Sequence, residues 1–219
     1  MAARNNERRE SILAVAYSLF GEKAYEEVPL SDIARGVGIT KSLLQHYFPQ
    51  KIDIIKTMII ELLETSSAYI GDLGLEDKEV FQSISDLNML FFKGVSANYK
   101  LRSFMLCSVQ DASCLDVWVE SICSWLRHYC SEDTFTYRQL KTALCFAMGG
   151  TMHLFLHQNE LDIDYRRYCR IHMQAILHML DYPPENIIRI LKITDEHISK
   201  ADADSFLSYC EKTVSWMTL

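Results

Sequence analysis

Asp32-Ile33-Ala34-Arg35-Gly36-Val37-Gly38-Ile39-Thr40-Lys41-Ser42-Leu43-Leu44-Gln45-His46-Tyr47-Phe48-Pro49 reads as two short helices hinged on a glycine. Leu30, Ile33, Ala34 and Val37 supply one buried helix side, Pro29 suits the first turn, and Gly38 breaks the run. Thr40 is a cap candidate for the next helix, which carries Leu44 and Phe48 inward before Pro49 stops it. Two short helices joined through a glycine turn spell a helix-turn-helix.

Upstream, Ile12, Leu13, Ala16, Leu19 and Phe20 form one apolar stripe and predict a helix over 7–20, with Asn6 as its cap and Gly21 as its end. Downstream, Ile54, Ile55, Met58, Ile59, Leu62, Leu63 and Tyr69 continue a single helical stripe to the break at Gly71-Asp72-Leu73-Gly74. Further helices are expected over 78–97, 99–108, 113–130, 136–158 and 165–181, with polar breaks at Ser131-Glu132-Asp133 and Asn159-Glu160. After Tyr182-Pro183-Pro184 come two more amphipathic pieces, 185–199 and 202–216. No strand-like alternation competes, so the fold class is all-α. The expected organisation is a three-helix domain at 1–52, a larger helical domain at 53–182, and a helical extension at 183–219 packed on the larger domain.

Hydrophobic residues make up 49% and charged residues 23% of the 219, with only 4 Pro, a balance of a folded rather than a disordered chain. The basic N-terminus has no apolar stretch behind it, and the apolar run from Leu144 to Leu156 is too short to span a bilayer. A cytoplasmic protein without a membrane partner is expected. The net charge of -7 is unevenly placed: eight Lys/Arg face seven Asp/Glu through Lys56, and fourteen face twenty-two beyond it. An acidic total does not exclude a polyanionic partner, because only the face presented to phosphates must be positive.

Ile12-Leu13-x-x-Ala16-x-x-Leu19-Phe20, Asp32-Ile33-Ala34-x-x-Val37-Gly38-Ile39-Thr40-Lys41 and Leu44-x-x-Tyr47-Phe48-Pro49-x-Lys51 together resemble the DNA-binding domain of the TetR family, in order and without gaps over residues 7–56. Beyond residue 56 the resemblance is architectural. It implies a homodimeric transcriptional regulator, most often a repressor, that sets two recognition helices on a palindromic or pseudo-palindromic stretch of double-stranded DNA. A small-molecule effector in the larger domain would control it, with no catalysis, cofactor or metal. The recognition helix maps to Thr40–Phe48, giving Thr40, Lys41, Ser42, Leu43, Gln45, His46, Tyr47 and Lys51 as candidate DNA contacts. Lys41 can donate to guanine, Gln45 can pair bidentately with adenine, and Ser42 can serve either role. Tyr47 and Lys51 match positions that grip phosphate, and Arg4, Arg8 and Arg9 are either further phosphate contacts or a solvated helix start.

Three positions depart from the family pattern. Leu43 stands where a small hydroxyl residue is common, and Gln45 where an aromatic is common. Ala24 replaces a glycine, and a left-handed backbone there would cost about 1–2 kcal/mol.

Gly149-Gly150 interrupts a helix at a cost of about 1 kcal/mol per glycine, which close approach of another helix would offset. With His153 and His157 they are the candidate dimer contacts, because the resemblance implies pairing of 136–158 and 165–181 across a dimer axis. His153 and His157 have the spacing of two metal ligands on one helix face, but no third ligand accompanies them, and core or interface histidines are the plainer reading. Cys107, Cys114, Cys123 and Cys130 read as reduced core thiols rather than a redox sensor. Phe81, Phe91, Phe92, Phe104, Met105, Trp118, Trp125, Phe146, Met148 and Met152 are expected to be mostly core, a subset lining a pocket that the sequence does not pick out. Two further readings stay open: a helical ligand-binding or interaction protein that has lost tight DNA binding, and an enzyme using the two histidines.

Overall fold

The computed structural model describes residues 2–75, 79–127 and 135–218, and among these the secondary structure is helical throughout. The chain runs α1 (Ala2–Glu22), a 3-10 turn (Tyr25–Glu27), α2 (Leu30–Val37), α3 (Lys41–Tyr47), α4 (Lys51–Asp72), α5 (Val80–Ala97), α6 (Tyr99–Gln110) and α7 (Ala112–Leu126). It continues through α8 (Tyr137–Leu156), α9 (Tyr165–Met179), α10 (Pro184–Lys200) and α11 (Ala203–Thr213) to a last 3-10 turn (Ser215–Thr218). Cys130 and the Ser131-Glu132-Asp133 break lie outside the described residues.

Side chains placed at the breaks explain where the helices start. Asn98, Asp111, Asp164 and Asp202 each accept a hydrogen bond from a backbone N–H three residues on, at 2.8–3.0 Å, satisfying donors that a helix start leaves free. Thr136 and Gln139 cap α8 reciprocally. One expected cap fails: α1 begins at Ala2, and Asn6 lies inside it, its Nδ2 donating to Glu10 Oε1 at 2.7 Å. Nothing before Asn6 breaks a helix, and Ala2-Ala3 favours one.

Helices α4 to α9 form the larger helical body, in which α8 lies along α9 and α4 along α7. Helices α10 and α11 cover α5, where Gly94 lets Phe206 approach so closely that an added Cβ would sit 2.8 Å from its ring. Lys93 Nζ donates to the carbonyls of Ile198 (3.1 Å) and Ala201, a cation at the negative end of α10.

The last turn reaches back to α1. Trp216 is fully buried, edge-on to Tyr17 at 5.0 Å, and its Nε1 donates to Glu61 Oε2 at 2.6 Å while Arg9 pairs with Glu61 Oε1 at 3.0 Å. Glu61 of α4 thus ties α1 to the C-terminal end. No helix among the described residues is long and apolar enough to cross a membrane.

Candidate nucleic-acid interface and effector cavity

Helix α3 is held by its inner side. Leu44 is fully buried, Phe48 nearly so, and Thr40 Oγ1 accepts the Leu43 N–H at 3.2 Å to cap the start. Gly38, at φ +74°, makes the turn between α2 and α3 in the left-handed region open to glycine at no steric cost. With that side fixed, Lys41, Ser42, Gln45 and His46 are all exposed, while Leu43 and Tyr47 are half-buried. The expected contact set divides accordingly. Four polar side chains form the outward face, Thr40's hydroxyl is engaged in capping, and the rings of His46 and Tyr47 meet edge-on at 5.8 Å beside it.

Lys51 is placed differently from its neighbours. Its Nζ donates to the Tyr25 carbonyl at 2.6 Å and lies 3.9 Å from the centre of the Tyr25 ring, and burial pulls the ammonium below its ordinary range. An ammonium has three donors, so this contact takes one and leaves two. Arg9 is engaged by Glu61, and the side chain of Arg4 lies outside the described residues. Ala24 carries no left-handed strain: its φ of -61° and ψ of 150° are extended, and the turn is made instead by the 3-10 residues that follow.

A cavity of about 80 Å³ lies inside the larger helical body, walled by α4 to α9. Eight of the ten aromatic and methionine residues singled out in the sequence line it: Phe81, Phe91, Phe92, Met105, Trp118, Trp125, Met148 and Met152. Phe104 packs on Tyr17 and Trp216 instead, and Phe146 is 64% exposed. Sequence reasoning passed over Ser66, Asn88 and His172, which also line the cavity. Their signal was a polar residue inside an apolar helical stripe, as Ser66 is one turn after Leu62 and Asn88 sits between Leu87 and Phe91.

Gly149 and Gly150 face outward with Cys145, Phe146 and His153, and a Cβ at either glycine would meet nothing within 4 Å. Among the described residues no helix crosses there. The rings of His153 and His157 lie 4.7 Å apart, tilted against each other, His157 Nδ1 sits 3.1 Å from Glu160, and among the described residues no group of three His, Cys, Asp or Glu is placed to hold a metal ion. Burial pushes the Cys107 and Cys123 thiols up to about 11 and raises Cys114 further, away from the thiolate form that oxidation needs.

Residues 12–58 match the family of bacterial regulatory proteins, tetR family. The HTH-type transcriptional regulator AcrR of Shigella flexneri is 33% identical over 75 residues, 34% of this chain and 33% of that one, so the match spans about a third of that curated relative. Over nearly the whole chain the likeness is to solved structures. TylP, a TetR regulator from Streptomyces fradiae, aligns with a TM-score of 0.51 at 17% identity, covering 89% of this chain and 99% of its own. RolR, solved in complex with resorcinol, aligns with a TM-score of 0.57 at 16% identity over 87% and 96%.

Proposed function

We propose, from the match of residues 12–58 to the tetR family of bacterial regulatory proteins and the likeness of the whole fold to TylP and RolR, that the protein is a homodimeric, sequence-specific DNA-binding repressor whose grip on DNA is set by a small molecule in the cavity. The observation that carries this reading is the division of α3. Leu44 and Phe48 are sunk in the core, and Lys41, Ser42, Gln45 and His46 stand free on the opposite side. A helix so anchored fits the major groove of B-form DNA, where Lys41 reads guanine and Gln45 reads adenine. Tyr47 and the two remaining Lys51 donors meet phosphates, which position without specifying.

The second copy docks on the outward face of α8. Phe146, Gly149, Gly150 and His153 offer an apolar and small-residue surface that a helix of the partner would cover, giving the glycines the close approach that justifies their cost in helix propensity. Control follows from α4. Leu62, Leu63 and Ser66 line the cavity, and the same helix begins at Lys51, next to α3. A ligand that shifts α4 at its middle shifts the N-terminal helices seated on it, and with them the separation of two recognition helices in the dimer.

The test is binding to fragments of the DNA upstream of the protein's own gene, measured by fluorescence anisotropy across salt concentrations. Affinity should fall steeply with salt, and Lys41→Ala should weaken binding by about 1–3 kcal/mol. Salt-independent binding, or none to any fragment, would favour an interaction protein of the same fold.

A further inference from the structure

The polar atoms of the cavity wall are few and share one character. Ser66 is 2% exposed and its Oγ has no hydrogen-bond partner; the Oδ1 of Asn88 is likewise buried and unpartnered. An unmade hydrogen bond is costly in a low-dielectric interior, so such atoms beside a cavity mark where a ligand completes them. His172 is the third group. Its Nδ1 lies 2.6 Å from Thr151 Oγ1, and that hydroxyl's single proton is donated to the Ala147 carbonyl, also at 2.6 Å. Nδ1 therefore carries the ring proton, and Nε2 is the acceptor nitrogen of the ring. Burial keeps the imidazole neutral, pushing it down to about 4.

Among the described residues, no Asp, Glu, Lys or Arg lines the cavity. A carboxylate or ammonium brought there would lose its hydration with no counter-charge to replace it. The remaining wall is aromatic and thioether: Phe91, Phe92, Trp118 and Trp125 present ring faces and edges, and Met148 and Met152 are soft enough to yield. At about 80 Å³ the space is well below the roughly 300–1,000 Å³ of drug-sized sites, so its occupant is compact.

We infer that the cavity takes a compact, neutral, apolar molecule carrying a hydrogen-bond donor, of the phenol class, with its hydroxyl donating to Asn88 Oδ1 and accepting from Ser66 Oγ. This inference rests on the cavity being the effector site, but not on DNA binding. The unpartnered Asn88 Oδ1 selects a hydroxyl over the corresponding ether, and the uncharged wall selects it over the corresponding acid.

The experiment is a titration of the DNA-free protein, read by intrinsic fluorescence because Trp118 and Trp125 are on the wall, with phenol, anisole and benzoate. The phenol should bind saturably, the ether at least about tenfold more weakly, and the benzoate more weakly still. Asn88→Leu should bring phenol and ether to within about twofold of each other. Equal binding of phenol and ether by the unaltered protein, a preference for the benzoate, or no saturable response to any of the three would overturn the inference. A protein that binds the phenol yet never touches DNA contradicts the regulatory reading alone. One that binds DNA and ignores all three contradicts this inference alone.

Discussion

The outward faces of α3 and α8 differ in kind. On α3 the outward residues are Lys41, Ser42, Gln45 and His46, all polar; on α8 they include Cys145, Phe146, Gly149 and Gly150, with Phe146 64% exposed. A polar face stays hydrated when alone and exchanges that water for base edges and phosphates. An apolar face gains by excluding water altogether, which a second protein surface does best. The two faces also differ in their seating. α3 belongs to a small unit tied to the far end of the chain through Tyr17, Glu61 and Trp216, whereas α8 is packed along its length against α9.

The largest way to break this contrast is to cut that tie. Trp216→Ala removes a fully buried indole and its hydrogen bond to Glu61, and should cost about 3–5 kcal/mol in urea unfolding. Below the transition, DNA affinity should fall while self-association persists, because Trp216 touches α1 and not the α8 face. Phe146→Glu should do the reverse. On the proposed dimer it places a charge in the apolar contact and should weaken self-association at least about a hundredfold by analytical ultracentrifugation. The monomer's stability should move by less than about 0.5 kcal/mol, since the side chain is already exposed. A dimer indifferent to Phe146→Glu would assign that face to something else.

These faces were not equally legible in the sequence. The helix-turn-helix announces itself because its signals are local: Pro29, Gly38, Thr40 and Pro49 act on their own backbone, and Leu44 and Phe48 need only a helix period to be assigned inward. Where the structure departs, the reason is also local. α1 extends past Asn6 because no residue stops it, and the turn at Ala24 is 3-10 rather than left-handed. The cavity is a different matter. It is assembled from Leu62 on α4 to Ile176 on α9, and whether Phe91 lines space, Phe104 fills the junction under α1 or Phe146 meets solvent depends on how six helices are rotated against one another. Lys51 shows the same limit in miniature, for its contact with Tyr25 joins residues 26 apart and has no periodic signature.

The central claim is that the outer side of α3 reads base edges in duplicate. Selection of bound sequences from a random DNA pool, run in parallel for the unaltered protein and for Gln45→Ala, tests it most directly. The account predicts a twofold-symmetric sequence for the first, and for the second the same sequence with preference lost at one base pair in each half, worth about 1–3 kcal/mol. Enrichment of no symmetric sequence, or an unchanged preference once Gln45 is gone, would contradict it.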